Sequence, residues 1–215
     1  MKWSIMIPSV VTRDEDLQRL VDCLAPQVEK YKGDIEVLVH WNNFEKGIGP
    51  VRQELIDDAK GEYVNFIDDD DMVVGDYCET IYPLLDGVDY IGFRVDFYSN
   101  GQLQKPVIHS LTCEGWTDNP DGFYRRVTMI NPIKRSLALK SRVSQGDYKK
   151  GVPEEKVYAD NLDKITKTEH FIDRPMHIYR PGNSVFARFD PEHGEFVRPK
   201  LPKYFRFCKG STSES

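Results

Sequence analysis

The sequence predicts an α/β fold with a mainly parallel central sheet and helices on both of its faces. Apolar runs of strand length alternate with helical stretches along residues 1–71, and that order gives parallel strands joined by helices. The runs at 3–7, 35–39 and 63–67 each end in polar residues. The third is followed by four consecutive aspartates, Asp68 to Asp71. In such sheets ligands bind beyond the carboxyl ends of the strands. Pro8-Ser9, Trp41-Asn42 and Asp68 to Asp71 are therefore expected to meet in one cleft.

Trp3 to Ile7 is the first expected strand. Thr12 and Glu15 stand at capping-box spacing. Leu17, Leu20, Val21 and Leu24 then supply one apolar face of a helix that Pro26 ends or bends. Ile35 to Val39 is the second strand, running into His40-Trp41-Asn42-Asn43. Val51, Leu55 and Ala59 recur every fourth residue on a second helix, and Gly61 after Lys60 reads as its left-handed stop. Tyr63 to Ile67 is long enough for a strand and too short for a helix. Asp76 and Glu79 start a helix carrying Ile81, Leu84 and Leu85, kept short or kinked by Pro83. Strands at 90–98 and 102–109 flank Asn100-Gly101, the strongest short hairpin signal. Cys113 to Gly122 is a polar loop around Trp116, whose ring either stacks on a sugar or pins the loop down. A helix through Leu137 and Leu139, a loop at 144–153 and a helix within 153–165 follow.

Four adjacent aspartates are electrostatically costly, because like charges about 4 Å apart cost roughly 1 kcal/mol per pair even in water. In extended geometry Asp68 and Asp70 point to one side and Asp69 and Asp71 to the other. Two carboxylates on one side make a hard-oxygen site for Mg²⁺ or Mn²⁺, completed by substrate phosphates. A solvated acidic loop or a structural Ca²⁺ loop is the competing reading.

The segment from Gly47 to Asp71 resembles the core of the family 2 glycosyltransferases, which have the GT-A (nucleotide-diphospho-sugar transferase) fold. Lys46, Gly47, Arg52, Ala59, Lys60, Gly61, Glu62, Tyr63, Phe66, Asp68 and Asp70 carry the likeness, in family order. It is close over about residues 3–95 and looser over 125–185, where 127–135 resembles the stretch that leads into a helix with a basic pair. The resemblance implies an inverting transferase that moves a sugar from a nucleotide-diphosphate donor, read as a UDP-sugar, with Mg²⁺ or Mn²⁺. Pro8, Ser9, Trp41, Asn42, Arg52, Asp68 and Asp69 would bind the nucleotide sugar. Asp68 and Asp70 would hold the metal, with His177 or His193 as a further ligand. The family usually places Asp at the second strand end, and Trp41-Asn42 depart from it. Glu154 and Glu155 stand where the family has Glu-Asp, whose second acid is the catalytic base. Glu155 is the candidate, Asp160 competes, and Glu154 is placed toward the acceptor with Trp116. A helix N-terminus enriched in acids for its dipole is the plainer reading.

Residues 1–190 are expected to form one catalytic domain, with the nucleotide-sugar and metal half at 1–95 and the acceptor half at 96–190. Residues 191–215 read as a basic extended arm with a disordered end. Residues 1–122 hold 10 Lys+Arg against 24 Asp+Glu, a balance of −14, and residues 123–215 hold 19 against 11, a balance of +8. An acidic half suits a cation and a basic half an anionic partner, although solvated surface accounts for such charges equally. No apolar run reaches the roughly 18 residues of a membrane span. Cys23, Cys78, Cys113 and Cys208 are too scattered for a zinc site or a disulfide framework. With no signal-peptide pattern, a cytoplasmic protein is expected. The acceptor is open among a glycan, a lipid-linked glycan and a protein hydroxyl. The small size also suits a phage-type enzyme acting on hydroxymethylated bases in DNA. A nucleotidyltransferase would carry a Gly-rich loop after the first strand, absent after Ser9. A non-catalytic nucleotide-sugar-binding module is the remaining rival.

Overall fold

The computed structural model describes residues 1–143, 153–179 and 201–211. The chain runs through β1 (Trp3–Val10), α1 (Asp14–Glu29), β2 (Ile35–Asn42), α2 (Ile48–Asp58), β3 (Tyr63–Phe66), β4 (Met72–Val73) and α3 (Tyr77–Ile81). It continues through β5 (Tyr90–Ser99), β6 (Gln102–Leu103), β7 (Val107–His109), β8 (Trp116–Asn119), β9 (Gly122–Arg125) and β10 (Ile133–Lys134). Then come α4 (Arg135–Ser141), α5 (Glu154–Asp163), β11 (Glu169–Tyr179) and β12 (Phe205–Phe207).

Among the described residues the sheet runs β12-β2-β1-β3-β10-β5-β7-β9-β8, with β11 on β5 and β4, and β6 on β5. Its first part is parallel, β12 and β1 both flanking β2 and β1 pairing β3, as the strand-helix-strand order predicts. Beyond β3 the sheet is mixed: β10 is antiparallel to β3 and β5, while β11 lies parallel to β5. Trp3, Ile5 and Ile7 alternate with Met6, so β1 feeds two cores. Leu17, Leu20, Val21 and Leu24 of α1 pack on one face with α3. Val51, Leu55 and Ile56 of α2 pack on the other with α4 and α5. Asn100 and Gly101 both have positive φ, 51° and 73°, as the expected two-residue hairpin turn requires. No helix among the described residues is long and apolar enough to cross a membrane.

Three local expectations are corrected. Thr12 does not cap α1; its Oγ1 has no hydrogen-bond partner among the described residues, Arg13 occupies the N-cap position, and α1 runs on through Pro26. Gly61 is not a left-handed stop. It is small because β1 passes beneath it: a Cβ there would lie 2.5 Å from Ser4 N and 2.6 Å from Trp3 C. Since both are backbone atoms, no rotamer relieves the clash. Gly61→Ala is expected to cost on the order of 3 kcal/mol in urea unfolding, whereas Gly75, with open space around it, tolerates the same change.

The third concerns the C-terminal arm. Phe205–Phe207 adds an edge strand to β2, with Arg206 donating to Glu36 at 3.2 Å and to Asp58 at 2.5 Å. Arg206 of the expected extended basic arm thus neutralises acids of the N-terminal half. His193, Arg198, Lys200 and the last residues of that arm lie outside the described residues.

Candidate functional site

The three strand ends meet as expected, but the aspartates do not alternate. Asp71 N–H donates to Asp68 O at 3.1 Å, so the tetrad is a turn and its carboxylates fan out in different directions. Asp69 is buried and accepts from Ser9 Oγ and Arg13 Nη1, each at 2.8 Å. Arg13 also reaches Asp70 at 3.2 Å. Asp68 accepts from Arg52 Nη2 with both oxygens, at 2.9 and 3.1 Å. Asp71 pairs with His177 Nε2 at 2.8 Å, both buried. Fanning out spreads the four carboxylates over three partners, Arg52 for Asp68, Arg13 for Asp69 and Asp70, and His177 for Asp71, but burial still disfavours the charges of Asp69 and Asp70. It pushes Asp69 up to about 6 against the pull of Arg13 and Ser9. It also raises Asp70, where the neighbouring Asp71 and Asp68 charges add to it.

Arg52 is the hinge of the site. It comes off α2 buried, its second terminal nitrogen donating to Glu154 Oε1 at 2.5 Å and its guanidinium 5.7 Å from the Phe66 ring. Burial opposes its charge, but Asp68, Glu155 and Glu154 outweigh that and hold its pKa above the ordinary value. The clamp ties the tetrad to the first turn of α5. Glu154, expected near the acceptor, is instead a buried partner of Arg52, and the next residue, Glu155, faces a cavity.

Two cavities share Asp68. The first, ≈ 380 Å³, is lined by Pro8, Ser9, Asn42, Arg52, Asp68 and Asp69, and also by Arg13, Phe44 and Lys46. Phe44 is 45% exposed with φ 57°, and nothing in the local sequence pattern singles it out. Lys46 donates to Glu54 at 2.7 Å and to Gly210 O at 3.2 Å, so the segment after β12 buttresses this cavity. Asn42 Nδ2 donates to Lys46 O at 2.8 Å, which leaves its Oδ1 as the free-facing acceptor of the amide. Trp41 lines neither cavity. It is buried against α1, with Nε1 donating to Asp14 at 3.2 Å, because neighbours along a strand face opposite ways.

The second cavity, ≈ 330 Å³, holds Asp68, Asp71, Glu155, His177 and Trp116 beside Phe97, Phe123, Tyr179 and His109. Burial, opposed by Arg52, pushes Glu155 up to about 7. Trp116 both lines the cavity and pins its loop: Nε1 donates to Val127 O at 3.0 Å, with Arg125 5.1 Å and Lys156 5.7 Å from its ring. Asp160 is exposed, paired with Lys156 at 2.5 Å, and lines neither cavity; α5 turns it away from Glu155.

Asp68, Asp70 and His177 do not converge. Among the described residues no group of three His, Cys, Asp or Glu side chains could hold a metal ion. The donor chemistry still suits a hard divalent cation, which takes one or two protein carboxylates and completes its shell with phosphate and water. The guanidiniums of Arg13 and Arg52 reach Asp68, Asp69, Asp70 and Glu154, and Glu155 stands close enough to Arg52 to feel its charge.

No family model matches the chain, and no curated protein matches it. Solved structures do. TarS from S. aureus superposes at TM-score 0.63 with 14% identity, covering 84% of this chain and 37% of TarS. A TarS 1–349 structure in complex with UDP-GlcNAc gives 0.60 at 13% identity, covering 85% of this chain and 59% of that one. Glucosyl-3-phosphoglycerate synthase from Mycobacterium tuberculosis, in complex with Mn²⁺, UDP and glucosyl-3-phosphoglycerate, gives 0.54 at 12% identity, covering 84% and 72%. The chain thus spans 37–60% of the length of the TarS chains. It has the GT-A-type α/β fold that the sequence predicts.

Proposed function

We propose that this protein transfers a sugar from a nucleotide-diphosphate donor, a UDP-sugar, to an acceptor hydroxyl, with inversion at the anomeric carbon. The observation that carries this is the pair of cavities joined at Asp68, with Glu155 in the second. The UDP compounds bound in the TarS and glucosyl-3-phosphoglycerate synthase structures support the donor class.

In this reading the nucleotide occupies the first cavity. Asn42 Oδ1 accepts from the base, which matches the N–H edge of uracil, and Phe44 offers an aromatic face. Asp68 and Asp70 would hold Mg²⁺ or Mn²⁺, while His177 is taken up by Asp71. The cation supplies charge neutralisation of the departing diphosphate. Arg52 positions Asp68 and, through Glu154, the first turn of α5. Glu155 takes the proton from the acceptor hydroxyl, and its raised pKa makes it a stronger base than an ordinary carboxylate. A DNA acceptor would call on the basic second half of the chain for its phosphates, but Arg206 of that half is engaged with Glu36 and Asp58. A glycan, lipid-linked glycan or protein hydroxyl is therefore preferred.

Thermal shift and nucleotide release across UDP-, GDP- and dTDP-sugars, with Mn²⁺ or with EDTA, test the assignment. One UDP-sugar is expected to raise the melting temperature by several degrees with Mn²⁺ at about 100 times its Kd. Asp70→Ala should remove the metal-dependent part. Equal stabilisation in EDTA argues against the metal, and no response to any donor argues against the whole assignment.

A further inference from the structure

His109 ends β7, buried, its ring 6.3 Å from that of Phe93. It comes to the second cavity from outside the segments that carry the rest of the site, and the chemistry above does not use it. Its protonation is fixed by the groups behind it. Asn131 Nδ2 donates to Ile91 O at 2.8 Å, which turns Asn131 Oδ1 toward Thr128 and His109. Thr128 Oγ1 donates to that oxygen at 2.7 Å, and His109 Nδ1 lies 2.8 Å from it. An amide oxygen only accepts, so Nδ1 carries the ring proton and Nε2 keeps a lone pair. Burial lowers the ring's pKa to about 3, so it stays neutral at physiological pH. Among the described residues nothing donates to Nε2.

The ring lines the same cavity as Asp68 and Glu155. Those residues bracket the reacting carbon in the proposed reaction, so the transferred sugar lies in this cavity. A sugar ring presents mainly hydroxyl donors, with apolar faces that suit Phe97, Phe123 and Trp116. Asp68, Asp71 and Glu155 are acceptors that also attract cations; His109 is a neutral acceptor with a fixed tautomer. We infer that His109 is a specificity-determining residue, its Nε2 accepting a hydrogen bond from a hydroxyl of the transferred sugar. This role rests on the nucleotide-sugar assignment above.

Two substitutions separate the ring's two nitrogens. Asn in place of His109 keeps an amide N–H near Nδ1 for Asn131 and removes the acceptor at Nε2. Gln extends a carbonyl oxygen toward the Nε2 position. Calorimetric titration with UDP, UDP-glucose, UDP-galactose and UDP-N-acetylglucosamine gives, for wild type, the affinity that the preferred sugar adds over UDP alone. His109→Asn is expected to lower that increment by about 3- to 10-fold, and His109→Gln to restore most of it, with UDP affinity unchanged in both. An increment unaltered in His109→Asn overturns the role. So does equal loss in both variants, or a parallel loss of UDP affinity, since either points to packing alone. A wild type that binds UDP but gains nothing from any sugar overturns the role while leaving the nucleotide site intact. A wild type that binds none of the four overturns the nucleotide-sugar assignment and this role with it.

Discussion

Glu155→Gln is expected to abolish transfer and, above neutral pH, to make the protein more stable. Gln cannot accept the acceptor's proton, and loss of a general base typically costs 10²- to 10⁴-fold in turnover. The stability gain follows from the direction of the shift. Burial raises the folded-state pKa from 4.5 to about 7, so the folded protein binds this proton more tightly than the unfolded chain does. The stabilisation this brings is complete below pH 4.5 and is lost as pH rises through 7. Above that, the ionised carboxylate sits where burial disfavours it. The neutral Gln removes that burden, worth about 1–3 kcal/mol and a rise of several degrees in melting temperature. Melts at pH 4 and pH 8 check this: the two proteins converge at pH 4, and the variant is ahead at pH 8. In wild type, kcat/KM should climb with pH through about 7, and the variant should lack that limb. A variant that retains turnover removes Glu155 from the role of base.

Arg52→Met is expected to be among the most damaging single changes in the chain. The guanidinium is buried between Asp68 and Glu154, at 2.9 and 2.5 Å. Removing it takes the guanidinium away from both carboxylates, and breaking a buried pair this way costs about 3–5 kcal/mol. Arg52→Lys fares little better, because one ammonium cannot present the planar fork that spans both acids. Urea unfolding should show that deficit, and adding Glu154→Gln, which removes one of the two buried charges, should recover part of it. A deficit below about 1 kcal/mol would mean that Arg52 does not hold the site together.

Much of this organisation is legible in the sequence, and the exceptions share a physical origin. The alternation of apolar runs and helical faces up to Ile67 is local, so β1, α1, β2, α2 and β3 are readable, as is the Asn100-Gly101 turn. Asp68 and Glu155 can be picked out because a short pattern surrounds each. Trp41 and Asn42 could not be separated, since a strand end assigns faces by parity and the pattern does not fix parity there. Glu154 and Glu155 differ only in which one Arg52 captures, a contact across 102 residues. The tetrad reads as extended because strand geometry was carried one turn too far. His109 and the edge strand β12 have no local signature: they reach their places by pairing with β5 and β2. Prolines and basic residues around Phe205–Phe207 conceal a strand whose partners lie near the other end of the chain.

Hydrogen exchange of the wild-type protein with Mn²⁺, alone, with UDP and with the preferred UDP-sugar, tests the two-cavity site most directly. UDP is expected to protect the backbone at 8–13, 42–52 and 68–71, the segments around the first cavity. The sugar should add protection at 107–109 and 123–131 and around Glu155, on the walls of the second. Protection by UDP that falls elsewhere, or sugar-dependent protection confined to the first cavity, would contradict a nucleotide sugar bound across Asp68.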